Sequence, residues 1–150
     1  MEKLPLPADF RDFLQLLNSA QVEYLLVGGY AVGYYGYPRA TGDMDVWVAA
    51  TPENAAKLVD VLCHFGFSPE SVKPELFTTP GQIIRMGVPP VCIDILTTAS
   101  GVEFDDCYSR RNIQTIDGMA ANIIPFEDLK RNKKASGRPK DLDDLQNLPE

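Results

Sequence analysis

The sequence lacks an uninterrupted apolar run long enough to cross a membrane. Its longest apolar stretches have the length of strands and are broken by glycine, proline or charge, whereas a membrane-spanning helix needs about 20 apolar residues. The charged N-terminus has no apolar centre of the kind found in signal peptides. We therefore expect a cytoplasmic protein that does not associate with membranes.

Paired cysteines and an excess of positive charge are also missing. The three cysteines, Cys63, Cys92 and Cys107, are widely spaced and form no Cys-x-x-Cys pair, which argues against a zinc or redox centre. The formal net charge is −7, so we expect no extended DNA-binding surface, although a local basic groove is compatible with this charge. The length suits one domain with its own hydrophobic core.

The order of the predicted elements is typical of an α+β protein, in which a mixed sheet is flanked by helices. Runs of strand-forming residues predict six strands, at 22–27, 43–49, 82–88, 91–96, 112–116 and 121–124. Helical spacing of apolar residues and helix-start signals predict six helices, at 4–20, 30–37, 52–65, 104–111, 139–148 and from 126 onwards.

Two aspartates, Asp43 and Asp45, stand one residue apart in a predicted strand. Because side chains alternate between the two faces of a strand, both carboxylates lie on one face and Met44 lies on the other. Like charges at this separation repel each other unless a cation or a proton lies between them. The pair therefore predicts a metal ion, for which carboxylate oxygens are suitable ligands.

A third acid and a glycine pair extend this pattern. Asp94 lies in the apolar strand 91–96, where an unpaired carboxylate would be costly to bury, so it requires a partner. Gly28 and Gly29 end the first strand and allow a tight turn that a ligand can approach. The helix that starts there offers free N–H groups to an anion. On adjacent strands, three aspartates can hold two divalent ions of the kind used in phosphoryl transfer.

In this combination, Gly28-Gly29, Asp43-x-Asp45 and Asp94 resemble the nucleotidyltransferase superfamily of the DNA polymerase β type. The segments 27–48 and 134–145 look like the small bacterial branch that includes AbiEii-type toxins and minimal nucleotidyltransferases. The resemblance implies one nucleotidyltransferase-like domain over 1–150. It also implies a transferase that moves a nucleoside monophosphate from a nucleoside triphosphate, such as ATP, to a hydroxyl of RNA, a protein or a small molecule, with release of pyrophosphate.

The same resemblance implies a role for each site residue. Asp43 and Asp45 would coordinate two magnesium ions, for which manganese is a substitute, and Asp94 would bind the ion that activates the acceptor oxygen. Gly28 and Gly29 would contact the β- and γ-phosphates through backbone N–H groups. The remaining candidates for nucleotide contacts are Arg39, Thr41, Lys134 and Arg138.

The C-terminal segment has a simpler interpretation beside this one. The basic run 130–140 is most often a solvated face, and Asp141 and Asp144 are interpreted as charges of the first turn of the last helix. The apolar stripe of that helix is predicted to be Leu142, Leu145 and Leu148.

Three functional hypotheses remain open. The first is an active nucleotidyltransferase, as one half of a toxin–antitoxin pair or as a phage-defence protein. The second is a catalytically silent module of the same fold that holds a nucleotide or neutralises a partner protein. The third is an adenylyltransferase that modifies a hydroxyl of an antibiotic.

Overall fold

Residues 8–37, 43–88, 91–116 and 118–149 are described by a computed structural model. Six strands are present: β1 (Tyr24–Val27), β2 (Asp43–Val48), β3 (Ile83–Val88), β4 (Val91–Leu96), β5 (Asn112–Ile116) and β6 (Met119–Ile123). They form a single sheet in the order β3-β4-β2-β1-β6-β5. Because β2 pairs parallel with β4 but antiparallel with β1, the sheet is mixed, and the predicted α+β class is confirmed.

Within the described residues, six α-helices flank the sheet: α1 (Ala8–Ser19), α2 (Gly28–Tyr34), α3 (Pro52–His64), α4 (Phe104–Ser109), α5 (Phe126–Ser136) and α6 (Pro139–Asn147). The second helix begins directly at the glycine pair, as predicted for the anion-facing helix start. No helix in the described ranges has the length and apolar character that crossing a membrane requires.

The core fixes the position of β2 in the middle of the sheet. All four residues of β1 are buried, and Met44, Val46 and Val48 of β2 are fully buried on the face opposite the aspartates. The α3 helix is tied to these strands by Asn54, whose side chain accepts a hydrogen bond from the Glu23 amide (2.7 Å) and donates to the Ala49 carbonyl (3.0 Å). Neither β1 nor β2 can therefore shift without breaking buried contacts.

The last helix packs differently from the prediction. Leu142 is 49% exposed although Leu148 is buried, so the predicted leucine stripe was wrong at Leu142. Asp141 lies in the first turn of α6, as predicted, but Asp141 and Asp144 are only 0% and 1% exposed. The reason is Lys133 of α5, which is itself buried and pairs with both carboxylates. A buried ion pair, rather than an apolar stripe, joins α6 to α5.

Candidate active site

Strand register brings the three predicted aspartates to one face of the sheet. In the parallel β2/β4 pair, Asp45 lies directly opposite Asp94. Asp43 precedes Asp45 by two residues on β2 and therefore shares its face. Asp94 is buried, and Asp45 is partly buried. The sheet thus holds three carboxylates side by side in surroundings that are only partly solvated.

Gly28 lies against this cluster. Residue Val27 of β1 pairs with Asp45, and the chain leaves the strand at Gly28 with φ of +67°, the left-handed region that favours glycine. A Cβ atom placed on Gly28 would overlap the carboxylate of Asp45. Glycine is therefore needed here both for the turn and for the close approach of the acid. Since α2 begins at this point, its first N–H groups have no acceptor within the helix.

The electrostatic consequence of this crowding falls mainly on Asp45. Burial, followed by repulsion from Asp94 and Asp43, raises the pKa of Asp45 from 3.8 to about 6. Lys140 and Lys133 partly oppose this rise. Asp45 is therefore the carboxylate whose charge most needs an additional cation.

Arg85 supplies a cation to the other two aspartates. It lies opposite Asp94 in the antiparallel β3/β4 pair. Its Nε donates to Asp94 Oδ1 at 2.9 Å, and its Nη2 donates to Asp94 Oδ2 at 3.0 Å and to Asp43 Oδ2 at 3.1 Å. These carboxylates raise the pKa of Arg85 further. The partner that Asp94 requires is thus an arginine in this structure, where the sequence pattern predicted a metal ion.

Sequence reasoning missed Arg85, although a signal for it exists. Strands β3 and β4 are separated by only two residues, and Val88 pairs with Val91. Arg85 lies three residues before Val88, and Asp94 lies three residues after Val91, so the two face each other across the hairpin. A charged residue in each strand of one predicted hairpin, at matching distances from the turn, therefore predicts an ion pair.

A basic corner formed by α5 and α6 lies near the acids. Lys133 Nζ is 3.2 Å from Asp141 Oδ1 and 3.0 Å from Asp144 Oδ2, and all three side chains are almost fully buried. Arg138 Nε lies 2.8 Å from Asp141 Oδ2, with its side chain 61% exposed. Burial alone would raise the pKa of Asp141, but hydrogen bonds from Arg138 and Lys133 lower it. This network holds the start of α6 in place.

The positive charges of this corner act electrostatically on the aspartate cluster. Asp45 contributes to the raised pKa of Arg138, and Lys140 acts in turn on Asp45. Of the basic residues singled out in the sequence, Arg138 belongs to this corner, whereas Lys134 is exposed on α5. Arg39 and Thr41 lie outside the described residues.

Comparison with known proteins identifies the fold. The sequence matches no protein-family model and no curated protein sequence. In structure the chain is similar to the lincosamide antibiotic adenylyltransferase LnuA, solved with bound lincomycin. The TM-score is 0.57 over 97% of this chain and 98% of that chain, at 14% identity. The chain has a nucleotidyltransferase fold. The AbiEii-like branch stays a prediction.

The nucleotidyltransferase fold raises the question of whether these side chains suit a metal ion. Among the described residues, no three His, Cys, Asp or Glu side chains already converge as a metal site. The chemistry of the donors nevertheless fits a hard divalent cation, because three carboxylates share one face and the pKa of Asp45 is raised by its neighbours. Arg85 holds oxygens of Asp94 and Asp43 in this structure, so a metal ion that binds them would have to displace it.

The close approach at Gly28 predicts a specific stability difference. Gly28→Ala and Gly81→Ala both place a side chain at positive φ, +67° and +77°, at a shared cost of about 1–2 kcal/mol. Only Gly28 lies against a carboxylate, since a Cβ on Gly81 meets nothing within 4 Å. We expect Gly28→Ala to lower the free energy of unfolding, measured in urea, by about 1–3 kcal/mol more than Gly81→Ala does, because the new methyl group overpacks the site. Equal losses would show that the contact with Asp45 is unimportant.

The raised pKa of Asp45 predicts that Asp45→Asn stabilises the metal-free protein. The folded pKa of about 6 lies above the unfolded value of 3.8, so ionised Asp45 opposes folding at neutral pH. We expect a gain of about 1–3 kcal/mol near pH 7.5, which disappears towards pH 4 as the wild-type carboxyl becomes protonated. The gain is measured as the difference in free energy of unfolding between Asp45→Asn and wild type, from urea unfolding at both pH values. Asp12→Asn, an exposed change of the same charge, is the control; a gain that is equal in both variants, or independent of pH, would contradict the assignment.

Proposed function

We propose that the protein is a magnesium-dependent nucleotidyltransferase that moves a nucleoside monophosphate from a nucleoside triphosphate to a hydroxyl group. The observation that carries this proposal is the pairing of Asp45 with Asp94 across β2 and β4, with Asp43 on the same face and the Gly28 turn beside them. The nucleotidyltransferase fold, shared with LnuA over nearly the whole chain, supports it.

In this proposal the three aspartates hold the magnesium ions. Asp43 and Asp45 would hold both ions, and Asp94 would hold one of them and accept the proton of the acceptor hydroxyl. When bound, magnesium neutralises the charge that develops on the transferred phosphoryl group. Gly28 and Gly29 present backbone N–H groups to the β- and γ-phosphates, because no side chain shields the backbone there.

Basic groups of the α5/α6 corner complete the triphosphate site. The half-exposed guanidinium of Arg138 is held by Asp141 in a fixed position, and Lys140 is exposed while its charge already reaches Asp45. A planar guanidinium suits two phosphate oxygens, and a lysine serves as a point charge. Contacts of Lys134, Arg39 and Thr41 with the nucleotide stay predictions from the sequence.

Two observations favour a small molecule as the acceptor. The structurally similar LnuA is an antibiotic adenylyltransferase solved with lincomycin bound. In this chain, a cavity of about 490 Å³ opens beside Trp47, which shares the face of Asp45; its lining includes Thr98, Glu103 and Asp105 but none of the three aspartates. Hydroxyls and carboxylates there suit a neutral or cationic acceptor better than the phosphates of RNA. An RNA or protein acceptor and a toxin–antitoxin partner stay predictions.

A second candidate function is a catalytically silent nucleotide-binding module. The observation that favours it is Arg85, which occupies oxygens of Asp94 and Asp43 that a metal ion would need. In such a module Arg85 would remain in place when the nucleotide binds. The two candidates therefore differ in whether turnover follows binding.

The test is pyrophosphate release from each of the four labelled nucleoside triphosphates with magnesium, in the presence of lincosamides, aminoglycosides or RNA. We expect label transfer to one acceptor class, and we expect Asp45→Asn to lower the rate by about 100-fold or more because an acid that holds the metal is lost. Asp12→Asn should behave as wild type. Nucleotide binding without turnover would favour the silent module, and neither binding nor turnover would reject both.

A further inference from the structure

Arg85 lies in the space that a cation shared by Asp43 and Asp94 would need. Its guanidinium engages both oxygens of Asp94 and one oxygen of Asp43 through contacts of 2.9–3.1 Å. A metal ion that binds these carboxylates must therefore displace the arginine from the carboxylate oxygens. Either cation, the arginine or a metal ion, reduces the repulsion between these carboxylates.

The surroundings make Arg85 the partner that can move. Its side chain is 53% exposed, whereas that of Asp94 is 11% exposed. β3 is an edge strand of the sheet, so the guanidinium can swing into solvent without opening the core. Asp94 has no such freedom, because β4 lies between β3 and β2 and pairs with both. Exchange of cations at this site thus requires only one side chain to change rotamer.

We propose that Arg85 is a positioning residue that competes with the divalent metal ion for Asp94 and Asp43. In the metal-free protein it offsets part of the charge of these acids and keeps them aligned; when metal binds, it releases them and turns to solvent. The protein alone consequently binds metal weakly. The inference rests on the proposed function for the identity of the cation, but the competition itself is measured without turnover.

A purely structural role for Arg85 predicts the opposite result. If the arginine only held the carboxylates in place for a metal ion, its removal would disorder the ligands and weaken metal binding. Competition instead predicts that removal strengthens metal binding, since the metal no longer has to displace the Arg85 guanidinium from Asp94 and Asp43. Because removal of Arg85 leaves the buried Asp94 carboxylate without this cation, we expect the variant to be less stable than wild type, and its folding is checked before metal is added.

The experiment is a titration of the full chain with Mn²⁺ in the absence of nucleotide. Binding is monitored by calorimetry or by the EPR signal of free Mn²⁺. We expect Arg85→Met to bind Mn²⁺ about tenfold more tightly than wild type, as release of a charge-assisted pair implies. Arg85→Lys should lie between the two, because lysine keeps the charge but not the forked contact. Asp94→Asn should abolish the gain.

Arg131→Met is the matched control. It removes the same charge and another arginine–aspartate pair, Arg131 Nη1 to Asp128 Oδ1 at 2.9 Å, on α5. Unchanged or weaker Mn²⁺ binding by folded Arg85→Met, or an equal gain in Arg131→Met, overturns the competition. If Arg85→Met fails to fold, the same comparison is made with Arg85→Gln, and circular dichroism establishes folding in each case.

The result is separable from the proposed function. Tighter Mn²⁺ binding by Arg85→Met, together with no turnover by wild type, supports competition while the proposed function fails. Turnover by wild type with no change in Mn²⁺ affinity on removal of Arg85 overturns the competition while the proposed function stands.

Discussion

Repulsion among three carboxylates on one face of the sheet is the constraint on which the site depends. Asp45 and Asp94 cannot move apart because they are register partners in adjacent strands, and the opposite face of β2 is packed into the core. Burial of Asp45, followed by repulsion from Asp94 and Asp43, raises its pKa. Without a nearby cation, such an arrangement would oppose folding, so its presence calls for compensation nearby.

Compensation comes from two sides of the fold. From the sheet edge, Arg85 reaches Asp94 and Asp43. From the helical side, the buried contacts of Lys133 with Asp141 and Asp144 fix the α5/α6 corner and with it the positive charges that act on Asp45. Arg85 is half-exposed and can be displaced, whereas Lys133 is buried and stays in place. In the proposed function, Arg85 gives way to a metal ion, whereas Lys133 anchors the corner that would bind phosphate.

Much of the site follows from local sequence rules. Alternation along a strand places Asp43 and Asp45 on one face, and Thr51 with Pro52 marks the start of α3, where the Thr51 side chain accepts a hydrogen bond from Asn54. The strand order depends on contacts between distant segments, which no local pattern contains. The burial of Lys133 was likewise hidden, because its partners lie beyond the left-handed turn at Gly137 and belong to another helix.

The most direct test of the carboxylate site is a crystal structure of the protein with Mn²⁺ and a non-hydrolysable nucleoside triphosphate, with anomalous scattering to locate the metal. The account predicts manganese bound by Asp45 and Asp94, with the phosphates beside Gly28 and the guanidinium of Arg85 withdrawn from Asp94. Manganese located away from these carboxylates, with Arg85 still bonded to Asp94 in the nucleotide complex, would contradict it.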